Sequence, residues 1–337
     1  MSSGDVLDTD VLEWLFDASN PSVRFWALQD LMDYERTHPN VVAAQDAVME
    51  SEPVRAILSA QRPEGHWENP DDLYLPKYTA STHSLLILAE LGARRIPEIE
   101  RGLEHIFEFQ RDSGHFLTEI PKTSRGRASV VKDGCCLDAN VLYYMVHFGY
   151  LDDPRVQKLL DFTVDYHSAE EGGWHCRAFP INPDRVFPAN CYMGGAKVLR
   201  SLATIPKERR SDEIKAVIDR EVENVLENQV FRYLKNADGS RKDKAGWKRF
   251  GFPLFYQSDA LEVLDTLTRL GVKDERMLDA VDLVQGVQTP DGRWRLMHTF
   301  NGKMWVDIDA KGQPSKWITL RASRVLRRFH GVRTSGY

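Results

Sequence analysis

The stretch PEIERGLEHIFEFQRDSGHF, residues 97–116, decides the fold. Its first part is an amphipathic helix, Pro97 to Gln110, whose polar face carries Arg101, Glu104 and Glu108. Pro97 suits the first helical turn, where its missing N–H costs nothing. The helix ends in Gln110-Arg111-Asp112-Ser113-Gly114-His115-Phe116, and each residue type there has a task. Glycine lets the chain reverse, glutamine bonds backbone groups freed at the helix end, and the aromatic packs over the turn.

Working outward, the same turn recurs as Gln61 to Trp67, as Glu171-Gly172-Gly173-Trp174, and as Gln288 to Trp294. A stretched copy, Lys235 to Arg249, keeps Gly246-Trp247. Five further amphipathic helices precede or follow these turns: Val6–Asp17, Val41–Gln61 (with a break expected at Pro53), Pro154–His167, Asp212–Gln229 and Glu275–Gln288. Between them lie runs that are apolar on more of their circumference and carry Leu-x-x-Leu before a small residue. These are Phe25–Met32, Leu85–Gly92, Val141–Gly149, Lys197–Ala203, Ala260–Gly271 and Arg321–Gly331, spaced roughly 54 to 68 residues apart. Four close on glycine, the residue that takes the left-handed conformation a helix end prefers. A helix apolar nearly all round is buried, and one with a single apolar stripe faces solvent. Alternating the two types six times predicts an all-α (α/α)6 toroid, six inner helices within six outer ones. A small β-hairpin near the C-terminus, Arg293–Met297 with Trp305–Gly312, is expected beside it. The repeats fill residues 1–331 as one domain, and 332–337 read as a frayed tail.

Composition bounds the partners. Hydrophobic residues make up 42% of the 337 and aromatics 10%, enough for a large core. A net charge of -6 argues against nucleic acid or an anionic membrane, since both call for clustered basic charge. No apolar run approaches the roughly 18 residues of a membrane span. The polar, acidic Met1–Asp10 is unlike a signal peptide, so a cytoplasmic protein is expected.

The order basic-small, aliphatics, then Gln-x3-Gly-x-aromatic resembles the QW repeat of squalene and oxidosqualene cyclases. Arg101-Gly102 through Phe116 is the fullest match; Arg55-Ala56 through Trp67 and Ala280 through Trp294 are partial. Across nearly its full length the chain resembles the terpenoid-cyclase and protein-prenyltransferase superfamily of toroids. The resemblance implies an enzyme that takes an apolar or isoprenoid-like small molecule into the central cavity. The Asp-x-Asp-Asp acid motif of the squalene-type cyclases is absent.

In such rings the inner-helix N-termini surround the mouth. Aligned on their closing residues, the repeats place Tyr78, Cys135, Cys136, Cys191, Tyr256, Asp259 and Trp317 in that layer. Cys136 and Cys191 start adjacent inner helices, and His175-Cys176 lies on the chain leading to the second. Thiolates and an imidazole suit tetrahedral zinc, so Cys136, His175, Cys176 and Cys191 are the candidate metal set. The alternatives are inert core thiols or a redox or nucleophilic cysteine. Asp259 and Asp138 are the candidate acids, since burial at the mouth would raise their pKa. Tyr78, Tyr256, Trp317 and Trp26 are candidate substrate-binding walls, with Arg24 and Arg321 for an anionic group. Arg324-x-x-Arg327-Arg328 reads as a solvated face favoured by the helix C-terminus. Two other functions suit a ring equally: carbohydrate binding or polysaccharide processing, and a scaffold without chemistry.

Overall fold

The computed structural model describes residues 8–120, 134–170, 172–175 and 191–331. The tail 332–337, Cys176 and the first residues of the first outer helix therefore lie outside the described residues.

Thirteen α-helices occur among them: α1 Thr9–Phe16, α2 Pro21–Asp30, α3 Pro39–Glu50, α4 Glu52–Ser59, α5 Ser81–Glu90, α6 Pro97–Phe107, α7 Cys135–His147, α8 Pro154–Asp165, α9 Tyr192–Thr204, α10 Asp212–Glu227, α11 Ala260–Arg269, α12 Leu278–Gly286 and α13 Lys316–His330. The start signals sit where expected. Asp153 accepts from the Arg155 amide at 2.8 Å and Ser211 from the Ile214 amide at 3.3 Å, each satisfying an amide that the helix leaves unpaired. The second outer helix breaks at Ser51, whose extended backbone (ψ 146°) separates α3 from α4 just before Pro53.

Two burial patterns separate the layers. All ten residues of α5 are buried, whereas α6 buries only Ile99, Gly102, Leu103, His105 and Ile106. The six inner helices α5, α7, α9, α11, α13 and α2 contact one another in that order. The ring closes between α2 and α5, where the Trp26 indole donates to the Glu90 carbonyl at 2.8 Å and Phe25 fills the hollow over Gly92. The inner runs end on Gly92, Gly149, Gly271 and Gly331, with φ of 80°, 81°, 83° and 73°. The chain is an (α/α)6 toroid, six inner helix positions inside six outer ones, the second outer position being split.

The glutamine turns tie neighbouring outer helices together. Gln61 Nε2 donates to Gly65 O and Glu98 O, both at 2.8 Å, linking α4 to the start of α6. Gln110 repeats the bond to Gly114 O and Arg155 O at 2.8 Å, linking α6 to α8. The turn aromatics Trp67, Trp174 and Trp294 are buried and donate their indole N–H to the preceding outer helix at 2.7–2.8 Å. Near the C-terminus the expected hairpin is reduced to one antiparallel bridge, Arg295 with Pro314. The two-stranded ladder among the described residues lies instead in the stretched fourth repeat, β1 Leu234–Lys235 with β2 Arg241–Lys242. No described helix is long and apolar enough to cross a membrane.

Candidate functional site

Each inner helix is followed by an outer helix that returns the chain, so all six inner helices run the same way. One face of the ring collects their N-terminal ends and the other their C-terminal ends.

At the N-terminal face the first-turn side chains serve the turns. Trp67 N donates to Ser81 Oγ at 3.0 Å, Phe116 N to Asp138 Oδ1 at 2.8 Å, and Trp294 N to Thr319 Oγ1 at 3.0 Å. Asp259 caps α11 through the Glu262 amide at 2.8 Å and receives the Gly251 amide at 2.9 Å. Burial raises its pKa to about 6, as expected for a buried carboxyl. Of the candidate acids, Asp138 accepts one backbone amide and Asp259 two. Both carboxylates are occupied by turn amides, the same task that serine and threonine do in other repeats. Rings fill the space beside them. Tyr78 stacks on Phe300 at 4.4 Å, and His83 lies between Tyr74 at 4.8 Å and Phe255 at 5.2 Å. Burial lowers the His83 pKa to about 3, so the ring is neutral. The void shared by Tyr74, His83, Cys136, Asn140 and Tyr256 measures about 10 Å³, room for one water at most.

The cysteines sit between α7 and α9. Cys191 caps α9, its sulfur accepting from the Gly194 amide at 3.3 Å. Cys135 packs its sulfur against Gly194, so closely that a Cβ there would strike it. Cys136 faces the void with Tyr74, and His175 is exposed. Among the described residues no group of three His, Cys, Asp or Glu is placed to hold a metal, and the fourth member of the expected set, Cys176, lies outside them.

The C-terminal face is different. A cavity of about 470 Å³ runs into the lumen there, within the size range of small-molecule sites. Trp26, Tyr143, Val146, Leu151, Trp317 and Leu320 give it aromatic and aliphatic walls. Five guanidinium groups line it (Arg36, Arg209, Arg269, Arg321 and Arg324) against two carboxylates, Glu90 and Asp152. Three of the five are paired. Arg324 meets Asp30 at 2.7 Å, Arg321 meets Glu90 at 3.8 Å, and Arg209 pairs with Asp152 at the rim. Among the described residues no carboxylate lies within 4.0 Å of Arg36 or Arg269. Arg269 ends α11 and, like Arg36, is exposed, with its side chain on the cavity wall. Arg321 is buried, and its Nη1 finds no hydrogen-bond acceptor.

Behind this wall lies a buried ion network. Lys197 Nζ donates to both oxygens of Glu262 at 2.8 Å, and Ser258 Oγ adds a bond at 2.6 Å. Arg200 reaches Glu262 at 3.3 Å, pairs with Glu90, and lies 3.9 Å over the Tyr143 ring. Burial opposes ionisation of Glu262, but Lys197, Arg200 and Arg321 together hold its carboxyl below the ordinary value. His147, on the cavity wall, is pushed by burial down to about 4 and shares a bond of 2.9 Å with Ala93 O. Its neutral ring donates Nε2–H to that carbonyl, which leaves Nδ1 as an acceptor.

Of the expected substrate-binding residues, Trp26, Trp317 and Arg321 come together in the lumen. Tyr78 and Tyr256 stay at the opposite face, and Arg24 is not among the cavity walls. The run Arg324-x-x-Arg327-Arg328 is not the solvated face expected of it. Arg324 is buried between Asp30 and Asp265, Arg328 pairs with the same two acids, and Arg327 bonds the Asp30 carbonyl at 2.7 Å. Lys197, Arg200, Glu262, Arg269 and His147 were not expected at the site. The signal for four of them is charge on one face of otherwise apolar helices: Lys197 and Arg200 fall three residues apart, and Glu262, Asp265 and Arg269 three and four apart.

No family profile matches the chain, and no curated protein matches it. Solved structures do. One of D-mannose isomerase is 13% identical with a TM-score of 0.50, covering 94% of this chain and 87% of that one. A type II terpene cyclase from Scytonema is 13% identical, TM-score 0.49, over 96% and 99%. A GH76 α-mannanase from Bacteroides thetaiotaomicron is 9% identical, TM-score 0.45, over 95% and 86%. At these identities the likeness is one of fold, an α/α toroid.

Proposed function

We propose that the chain is a toroid enzyme whose lumen, open at the C-terminal ends of the inner helices, takes a small amphiphilic anion. Its apolar or isoprenoid-like part packs on Trp26, Trp317 and Leu320, and its carboxylate or phosphate head meets Arg269, Arg36 and Arg321. His147 adds a hydrogen-bond acceptor to the wall, since its neutral ring donates Nε2–H to Ala93 O and keeps Nδ1 for the ligand. The observation that carries the reading is the excess of guanidinium over carboxylate in a cavity that also has an indole floor. Arg36 and Arg269, without a carboxylate of their own within 4.0 Å among the described residues, are free to make charge-assisted hydrogen bonds to a bound anion.

The test is calorimetric titration with farnesyl diphosphate, farnesol and inorganic diphosphate at one ionic strength. The amphiphilic anion should bind more tightly than farnesol by about 10-fold or more, the worth of one charge-assisted hydrogen bond. Arg269→Gln should remove most of that difference. Equal binding of farnesol, or no binding of any probe, overturns the reading. Saturable oligosaccharide binding that is lost on Trp317→Ala would favour the carbohydrate alternative.

A further inference from the structure

Far from the lumen, the turn after α4 and the outer helix α6 bring two histidines together. His66 and His105 are 8% and 5% exposed, and their ring centroids lie 5.4 Å apart at 46°. Each has one nitrogen turned to a carboxylate: His66 Nε2 is 3.9 Å from Glu64, and His105 Nδ1 is 3.6 Å from Glu108. Each has its other nitrogen buried without a partner, His66 Nδ1 and His105 Nε2. Phe109 closes one side, its ring edge-on to His105 at 5.4 Å.

Buried ring nitrogens are nearly always hydrogen-bonded, so two orphans on adjacent imidazoles call for a shared occupant. A carboxylate 3.6–3.9 Å from the outer nitrogen favours the ring proton there electrostatically, and the inner nitrogen then keeps its lone pair. That arrangement, carboxylate to histidine to metal, is how metal-binding histidines are oriented. Two imidazoles sharing one ion at about 2.0–2.1 Å per bond have centroids roughly 5.2–6.4 Å apart for angles from tetrahedral to linear. The observed 5.4 Å falls in that interval.

We infer that His66 Nδ1 and His105 Nε2 form a two-histidine site for a late first-row transition-metal ion, copper ahead of zinc by the usual order of affinities. The ion cross-links the α4 turn to α6. The next repeat supplies the contrast: His115 occupies the equivalent turn position but bonds Ser113 Oγ through Nδ1 at 2.8 Å.

The experiment uses untagged full-length protein stripped with chelator and titrated with Cu²⁺, then with Zn²⁺, by calorimetry. One equivalent of copper should bind, and its electron paramagnetic resonance spectrum should show two coupled nitrogens. His66→Gln and His105→Gln should each abolish that signal, while His115→Gln keeps it. Glu108→Gln should weaken binding by about 10-fold to 100-fold, as loss of an orienting partner does. Thermal melts of each variant identify any that fail to fold, and the wild-type spectrum stands without them. No stoichiometric copper, a spectrum without two nitrogens, or binding untouched in both histidine variants overturns the site.

Discussion

The two ends of the ring are built from opposite chemistry. At the N-terminal ends of the inner helices the polar side chains are short, and each is paired with a turn amide: Ser81, Asp138, Asp259 and Thr319. At the C-terminal ends they are long and charged, with more guanidinium than carboxylate. Helix dipoles run in the same sense. The N-terminal ends favour anions such as Asp138 and Asp259, and the C-terminal ends favour cations such as Arg269, the last residue of α11. Glu90 ends α5 against its dipole and is compensated by Arg200 and Arg321. Short, satisfied caps let rings pack between them. Long charged side chains stand apart and leave a cavity. The difference teaches that the parallel helices set the sign of each face, and side-chain length then sets which face stays open.

The largest effect should come from cutting the ion network. Glu262→Ala leaves Lys197 buried without its partner and should cost about 3–5 kcal/mol in urea unfolding. Replacing both by methionine should recover most of the loss. A cost under about 1 kcal/mol, the worth of a surface pair, would mean that the network is not buried as described.

Next comes the neutral histidine of the opposite face. The folded pKa of His83 is about 3, well below the ordinary 6.5, so the unfolded chain binds more protons between these values. Stability should therefore fall as pH falls from 6.5 toward 3, by up to about 1.4 kcal/mol per unit from this group. His83→Phe should flatten the acid limb of the stability profile. An unchanged limb would place His83 in water.

A smaller loss tests the turns that join the outer helices. A Cβ at Gly65, where φ is +102°, would come within 2.5 Å of Arg101 O. Gly65→Ala should cost about 1–3 kcal/mol through overpacking and left-handed strain. The smallest effect belongs to Arg269→Gln, which breaks no ion pair and should change stability by less than about 0.5 kcal/mol. A large loss there would show that Arg269 holds the ring rather than a ligand.

Most of the fold was legible because its signals are local. Prolines and caps mark helix starts, glycines mark their ends, and the glutamine turns repeat in phase with both. The C-terminal hairpin is smaller than expected because the sequence of Arg293–Met297 does not reveal how few of its residues find a partner. The site was less legible. Asp259 stands out by its position at a helix start, but the Gly251 and Glu262 amides it accepts are visible only in the structure. Arg324 and Arg328 look solvated beside Arg327 because charge at a helix end usually is. Asp30 and Asp265, which bury them, come from other repeats. Pairing across inner helices is non-local, and composition carries no trace of it.

The most direct test of the central claim is a crystal structure of the protein with the amphiphilic anion bound. The account predicts the head group within hydrogen-bonding distance of Arg269 and Arg321, with the chain against Trp26 and Trp317. A ligand seated instead among Tyr74, His83 and Tyr256 at the opposite face, with the lumen holding only solvent, would contradict it.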